Sequence, residues 1–151
     1  MKIRLAAPMQ RESIVDGQGI RMVIWSQGCK MACPGCHNPE THNPCGGQEY
    51  DIEELKNEIT KYAKYHQGIT LSGGDPFLQP QANKDLAGHA HSLGVDVWAY
   101  CGKTYEQLQD NVLLSSCDVL VDGPFIKELR DITLAFRGSS NQRIVNVQQS
   151  L

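Results

Sequence analysis

The sequence lacks several features that would place the protein in other classes. No apolar run approaches membrane-spanning length, and the N-terminal residues lack the apolar core of a secretory signal peptide. The formal charge is only −3, with 14 basic and 17 acidic residues, which argues against a large nucleic-acid-binding surface. No internal repeat or low-complexity tract interrupts the 151 residues. We therefore expect a single domain, 1–151, located in the cytoplasm, with no nucleic acid or membrane as its partner.

Cysteine is the residue type that carries most information. The chain has six cysteines, and in a reducing compartment they indicate metal or redox chemistry rather than a disulfide framework. Three of them, Cys29, Cys33 and Cys36, form the spacing C-x3-C-x2-C. A 4Fe–4S cluster is usually held by four cysteines, so three thiolates would leave one iron open to another ligand. We expect the chemistry to occur at that open iron.

Other interpretations of these cysteines stay open at this level. The second and third cysteines with His37 satisfy the C-x-x-C-H pattern of c-type haem attachment, but this leaves Cys29 unexplained and normally requires export. A structural zinc ion could complete its tetrahedral coordination with His42 or Cys45, although the spacing is irregular for common zinc modules. Three buried structural cysteines are the last alternative, but the surrounding glycine and proline are not typical of a core.

Alternating strand and helix patterns predict an α/β fold. Apolar and β-branched runs predict five strands: 20–25, 68–72, 95–100, 118–122 and 144–147. Helical periodicity predicts three helices: 51–65, 81–93 and one that begins at Thr104. Asp51 is expected to cap the first helix with Glu54 as its capping-box partner, and Cys117 is expected in the core. Such alternation predicts a parallel sheet of right-handed βαβ units, too few to close an eight-stranded barrel.

The loops that follow the first three predicted strands should meet at one edge of this sheet. They are the cysteine loop, Gly73-Gly74-Asp75 and Cys101-Gly102-Lys103. Ligands of parallel α/β sheets bind where the strands end, at their C-terminal edge. Two glycines permit a close approach that a Cβ would prevent, so a small ligand with an ammonium group could meet backbone carbonyls and the Asp75 carboxylate. An ordinary turn is the alternative for this motif.

These motifs resemble those of the radical S-adenosylmethionine superfamily. The C-x3-C-x2-C loop followed by Gly-Gly-Asp-Pro carries the resemblance. Further segments match in the same order: 14–21, 36–41, 71–76, 119–125 and 137–143. Together they are similar to the activating-protein family of anaerobic ribonucleoside-triphosphate reductases over nearly the whole chain.

The resemblance implies a glycyl-radical activase with a partial, open parallel (β/α) barrel. Cys29, Cys33 and Cys36 would bind three irons of a 4Fe–4S cluster, and the fourth iron would chelate the amino and carboxylate groups of S-adenosylmethionine. One electron from a flavodoxin-like donor would cleave this molecule to methionine and a 5′-deoxyadenosyl radical. The radical would remove a hydrogen from a glycine of the large subunit of the reductase. Cluster and S-adenosylmethionine would carry the chemistry, so no side chain is assigned as catalytic.

The resemblance also implies which residues border S-adenosylmethionine. These are Gly35, Cys36, His37, Gly73, Gly74 and Asp75. Asp75 stands where many relatives have glutamate, and Cys101-Gly102-Lys103 stands where the family commonly has Thr-Gly-Tyr, so the roles of Cys101 and Lys103 stay open. Arg137 and Arg143 flank a polar segment that either contacts the cofactor or partner or is a solvated loop.

Two other functions are kept as alternatives. One is an activase for another glycyl-radical enzyme of the pyruvate formate-lyase type, although the chain is short and has no inserted second cluster domain. The other is a non-catalytic zinc-binding interaction module. A brown protein with four irons after anaerobic reconstitution would favour an enzyme, whereas a colourless protein with one tightly bound zinc would favour the module.

Overall fold

A computed structural model describes residues 1–28, 46–131 and 133–150 of the chain. Eight strands of this part form one sheet: β1 (Lys2–Leu5), β2 (Gln10–Ser13), β3 (Arg21–Ser26), β4 (Gln48–Asp51), β5 (Gly68–Gly73), β6 (Asp96–Tyr100), β7 (Val119–Asp122) and β8 (Arg143–Asn146). Three helices are described: α1 (Ile52–Tyr62), α2 (Pro80–Ser92) and α3 (Val147–Ser150). The strand order is β4-β1-β3-β5-β6-β7-β8, and β2 also pairs with β3. No helix in these three described stretches is long and apolar enough to cross a membrane.

The centre of the sheet is parallel, as the sequence predicts. β3 pairs with β5, β5 with β6 and β6 with β7, all in parallel. The register aligns Ser26 at the end of β3 with Gly73 at the end of β5. The carboxyl ends of the central strands therefore lie along one edge, which we call the carboxyl edge. The α/β class and its parallel sheet are confirmed.

The outer strands differ from the sequence-based expectation. β1, β2 and β4 were not predicted, and all three pair antiparallel with their neighbours. β8 was expected to extend the parallel sheet but pairs antiparallel with β7. A parallel return requires a long crossover, usually a helix. Among the residues described between β7 and β8, 123–131 and 133–142, the only helical piece is one 3-10 turn, Lys127–Leu129, so the chain comes back in the opposite direction.

The helix predicted from Thr104 onward was wrong. Thr104 does form a capping box with Gln107, but the structure it begins is a 3-10 turn, Tyr105–Leu108. The Asn111 side chain accepts a hydrogen bond from the amide of Leu113 and donates one to the carbonyl of Phe77. Asparagine side chains that bond nearby backbone groups compete with the helical pattern. The chain therefore turns here and does not continue as a helix.

One apolar cluster joins the central strands to α1 and α2. It contains Met22, Ile24, Ile69, Leu71, Val97, Ala99 and Leu120 of the strands together with Ile52, Leu55, Ile59, Leu86 and Ala90 of the helices. The Asp51 side chain caps α1, as predicted, by accepting a hydrogen bond from the amide of Glu53. Cys117 is fully buried in the same cluster, which confirms its predicted core position.

The amino-terminal end of β3 holds a buried cation. The Arg21 side chain is fully buried and forms an ion pair with Asp96 at the start of β6. Its guanidinium also donates hydrogen bonds to the Thr70 hydroxyl (2.8 Å) and to the carbonyl of Gln18 (2.9 Å). It lies over the ring of Trp98, 5.5 Å from the ring centroid. The partners of this cation come from β5, β6 and the loop before β3, so the network joins these segments at the edge opposite to the predicted site.

Candidate functional site

The glycine motif is hydrogen-bonded to the residues that lead into the cysteine loop. The amide of Gly74 donates to the carbonyl of Ser26 (2.9 Å), the last residue of β3. The amide of Asp75 donates to the carbonyl of Gly28 (2.7 Å), directly before Cys29. These two bonds are made by the backbone and tie the loop after β5 to the loop after β3. The prediction that these loops meet at the carboxyl edge is confirmed for the part of the first loop that the structure describes, which ends at residue 28.

Gly73 is required at its position by two independent constraints. Its φ angle is +113°, a backbone conformation that residues with a side chain rarely adopt. A Cβ placed there would lie 2.3 Å from the carbonyl oxygen of Ser26 and 2.5 Å from its nitrogen. Both atoms belong to the backbone of β3 and cannot rotate away. The absence of a side chain at Gly73 therefore permits the close approach of the two loops.

Asp75 is a buried carboxylate at the carboxyl edge. Only 2% of the residue is exposed, and Oδ1 accepts hydrogen bonds from the amide of Phe77 (2.9 Å) and the thiol of Cys101 (3.4 Å). Within the described residues, no donor reaches Oδ2 and no lysine, arginine or histidine forms an ion pair with Asp75. Burial raises the pKa of Asp75, while the two hydrogen bonds and the charge of Lys103 act in the opposite direction. A cationic ligand at Oδ2 would stabilise this carboxylate.

The loop after β6 meets the glycine motif through Cys101. This residue is 5% exposed, and its sulfur accepts a hydrogen bond from the amide of Lys103 (3.4 Å) and donates one to Asp75. Burial, followed by the charge of Asp75, raises the pKa of the Cys101 thiol far above its ordinary value. The sulfur therefore stays protonated and can donate. The predicted convergence of the third loop is confirmed, whereas its bond to Asp75 was not foreseen.

Two amide side chains that support these loops were missed by the sequence analysis. The Gln79 side chain donates to the carbonyls of Arg4 (2.8 Å) and Gln27 (3.2 Å), so it joins β1 to the segment before the cysteine loop. The Asn83 side chain donates to the carbonyl of Pro76 (2.9 Å) and to the hydroxyl of Ser26 (3.2 Å). For Asn83 the available signal was its spacing from Leu86 and Ala90, which places it on the apolar face of α2, where a buried amide needs partners.

Arg143 forms ion pairs within the chain at the same edge. Its guanidinium pairs with the buried Asp122 at the end of β7 and with Glu106 (2.7 Å) in the turn after β6. The bonds from Arg143 lower the pKa of Glu106 to about 2. Tyr105 also donates its amide to Asp122 (2.7 Å). Arg143 therefore joins the end of β7 and the start of β8 to the turn after β6. The Arg137 side chain donates a hydrogen bond within its own loop, to the carbonyl of Ala135 (3.4 Å).

The proposed cluster ligands lie outside the described residues. These are Cys29, Cys33 and Cys36, together with the neighbouring Gly35 and His37 and the alternative zinc ligands His42 and Cys45. Their roles stay predictions. In the part of the chain that is described, no group of three or more histidine, cysteine, aspartate or glutamate residues could hold a metal ion. The described residues thus supply a carboxylate and two glycines beside the entrance to the cysteine loop.

Comparisons with known proteins identify the family of the chain. The family model described as a 4Fe-4S single cluster domain matches residues 15–145. The chain is 37% identical over 139 residues to the anaerobic ribonucleoside-triphosphate reductase-activating protein of Salmonella typhi, covering 85% of this chain and 90% of that protein. The protein of the same name from Escherichia coli K12 is 36% identical over the same coverage. That of Enterobacteria phage T4 is 35% identical over 136 residues, 86% of each chain.

A solved structure has a similar fold. The crystal structure of QueE from Escherichia coli matches with a TM-score of 0.53 at 17% sequence identity. The match covers 69% of this chain and 54% of QueE, so this chain spans about half the length of that protein. At this level of identity the similarity shows the fold alone.

Proposed function

Because this chain belongs to the family of anaerobic ribonucleoside-triphosphate reductase-activating proteins, we propose that it activates such a reductase by forming a glycyl radical on its large subunit. It also belongs to the 4Fe-4S single cluster domain family. The activity would be that of a radical S-adenosylmethionine oxidoreductase that uses a 4Fe–4S cluster and S-adenosylmethionine. A flavodoxin-like protein is our proposal for the electron donor.

Three cysteines are proposed to hold the cluster. Cys29, Cys33 and Cys36 would ligate three irons, and the fourth would remain open for the amino and carboxylate groups of S-adenosylmethionine. When bound, the cluster would supply the electron that cleaves S-adenosylmethionine, and the resulting 5′-deoxyadenosyl radical would take a hydrogen from a glycine of the reductase. Gly35 and His37 are proposed to border the bound molecule.

Two backbone bonds of the glycine motif carry this proposal, one to Ser26 at the end of β3 and one to Gly28 in the loop that follows. They place Gly73, Gly74 and Asp75 beside Gly28, one residue before the first cysteine. A ligand held by the cysteine loop would therefore lie next to a buried carboxylate that has a free oxygen among the described residues. The ammonium group of the methionine moiety carries a positive charge, opposite to that of the Asp75 carboxylate. A hydrogen bond between an ammonium group and a carboxylate is among the stronger ones in proteins.

The fold also supports an activase that acts on a folded partner. We propose a partial, open barrel of the radical S-adenosylmethionine type in a single domain, 1–151. β4 and β8 stand at opposite ends of the strand order, and the parallel strands lie between them. An opening would let a glycine of the reductase reach the site, which a closed barrel would prevent. A cytoplasmic location remains a prediction from the sequence.

One experiment tests the activity directly. The protein, reconstituted anaerobically with iron and sulfide and reduced, is incubated with S-adenosylmethionine and the anaerobic reductase. We expect a glycyl radical on the reductase in the electron paramagnetic resonance spectrum. Pyruvate formate-lyase serves as the comparison substrate, since a radical formed on it alone would assign the chain to that alternative. A colourless protein with one tightly bound zinc ion and no radical would contradict the proposal.

The role of Asp75 can be tested without any radical chemistry. Asp75→Asn removes the charge but keeps a side chain that caps helices equally well, so the fold should be retained. We expect binding of S-adenosylmethionine to weaken by about tenfold or more, because hydrogen bonds between charged groups contribute about 1.5–3 kcal/mol. Equilibrium dialysis with the oxidised, reconstituted protein measures this.

The matched control is Asp51→Asn, which changes the capping carboxylate of α1 in the same way. It should leave binding unchanged. Equal binding by wild type and Asp75→Asn would show that Asp75 serves only as the cap of the 3-10 turn Pro76–Leu78.

A further inference from the structure

A thiol sits between two of the loops that form the site. The Cys101 sulfur is held from one side by the amide of Lys103 and donates from the other side to Oδ1 of Asp75. The two bonds restrict the rotation of the thiol and direct its hydrogen at the carboxylate. Cys101 and Asp75 come from the ends of neighbouring strands, β6 and β5, and both are almost fully buried.

The bonds at Asp75 are distributed unevenly over its two oxygens. Oδ1 accepts both the Phe77 amide and the Cys101 thiol, and no donor from the described residues reaches Oδ2. Two donors from different segments of the chain therefore bond the same oxygen and fix the orientation of the carboxylate. A carboxylate fixed in this way needs no reorganisation when a cationic donor binds the second oxygen.

We propose that Cys101 is a positioning residue for S-adenosylmethionine: its thiol holds Oδ1 of Asp75 so that Oδ2 is directed at the ammonium group of the methionine moiety. This role rests on the function proposed above. A hydroxyl can donate one hydrogen bond as a thiol does, so serine at this position should keep the same role. The sulfur itself does not contact the ligand and is not a catalytic residue.

The chain offers a matched control for this thiol. Cys117 is also buried, and burial raises its pKa to about 12, so it too is a thiol at neutral pH. Its hydrogen bond, however, goes to the backbone carbonyl of Leu113 (3.5 Å) and not to a carboxylate. Cys117→Ala removes the same atom from the core without affecting Asp75. Cys101→Ser keeps a donor at the proposed position.

The test measures the dissociation constant of S-adenosylmethionine over a range of pH with the oxidised, reconstituted protein, in which no cleavage occurs. We expect about fivefold weaker binding at neutral pH for Cys101→Ala, with binding within about twofold of wild type for Cys101→Ser and Cys117→Ala. In an Asp75→Asn background, Cys101→Ala should change binding by less than about twofold, because the two residues act through one interaction.

The pH profile separates positioning from a loss of packing. The thiol bond lowers the pKa of Asp75, so its removal raises that pKa and Asp75 takes up a proton at a higher pH. In Cys101→Ala, binding should therefore weaken at a higher pH as the solution is acidified, whereas Cys117→Ala should follow wild type. A packing defect alone would leave the midpoint where it is.

The outcomes distinguish the two proposals. If wild type fails to bind S-adenosylmethionine, the proposed function is overturned and this role with it. If wild type binds and Cys101→Ala binds equally well with the same pH profile, the role of Cys101 alone is overturned. An equal loss in Cys101→Ala and Cys117→Ala, or a loss that persists in full in the Asp75→Asn background, would also overturn it.

Discussion

Replacing any one of Cys29, Cys33 or Cys36 by alanine is expected to abolish the reductive cleavage of S-adenosylmethionine. Two thiolates cannot hold a 4Fe–4S cluster that already has one fewer cysteine than usual, so each variant should lose iron as well as activity. Iron content after anaerobic reconstitution, and formation of 5′-deoxyadenosine with a chemical reductant, measure the two losses separately. Neither measurement needs the reductase, so the result bears on the site itself.

Two other cysteines of the chain provide the controls. Cys117→Ala should keep its iron and its cleavage activity, because Cys117 is a buried core residue. Cys45→Ala should do the same, whereas a zinc module that uses Cys45 would lose its metal. Cleavage that persists in Cys29→Ala, Cys33→Ala or Cys36→Ala would contradict the assignment of the three ligands.

The central sheet could be predicted from the sequence because its signals are local. β3 and β5 are runs of apolar and β-branched residues, and α1 begins at a capping aspartate. β2 carries no such signal, since three of its four residues are exposed. Such a strand forms through pairing with its neighbour, and pairing partners cannot be inferred from local composition. The same reason explains why the direction of β8 was not foreseen.

The sequence predicted which loops form the candidate site but not which side chains contact each other there. Strand order alone implies that the loops after β3, β5 and β6 meet at the carboxyl edge. The bond between Cys101 and Asp75 depends on side-chain directions across 26 residues of sequence, which no spacing rule provides. The same limit applies to Arg21, because its partners Thr70 and Asp96 come from two other strands.

The amino-terminal and carboxyl edges of the central strands differ in how their buried charged side chains are paired. At the amino end of β3, the guanidinium of Arg21 is satisfied by groups within the chain. At the carboxyl edge, Asp75 keeps one oxygen without a donor from the described residues. A cationic ligand that bonds this second oxygen would stabilise the carboxylate. Arg21 is thus paired within the chain, whereas Asp75 can still accept a hydrogen bond from a ligand. This difference indicates that a ligand would bind at the carboxyl edge.

Gly73→Ala is expected to be more damaging than the same methyl addition at Gly88 or Gly94. The new Cβ would lie 2.3 Å from the carbonyl oxygen of Ser26, and the φ angle of +113° is unfavourable for alanine even without that contact. We expect the free energy of unfolding to fall by about 3–5 kcal/mol. Any relief of the clash must move the end of β3, which leads into the cysteine loop, so binding of S-adenosylmethionine should be lost as well.

Two other glycines separate the contributions to this loss. Gly94→Ala adds a methyl group at a φ angle of +79° with no atom within 4 Å, so it tests the backbone conformation alone and should cost about 1 kcal/mol. Gly88→Ala lies within α2, also with no atom within 4 Å, and should stabilise the helix by up to about 1 kcal/mol. Both variants should bind S-adenosylmethionine like wild type. Urea unfolding and equilibrium dialysis on all three variants make the comparison. If Gly73→Ala were no less stable than Gly94→Ala and still bound S-adenosylmethionine, the close approach of β3 and the glycine motif would not be what positions the site.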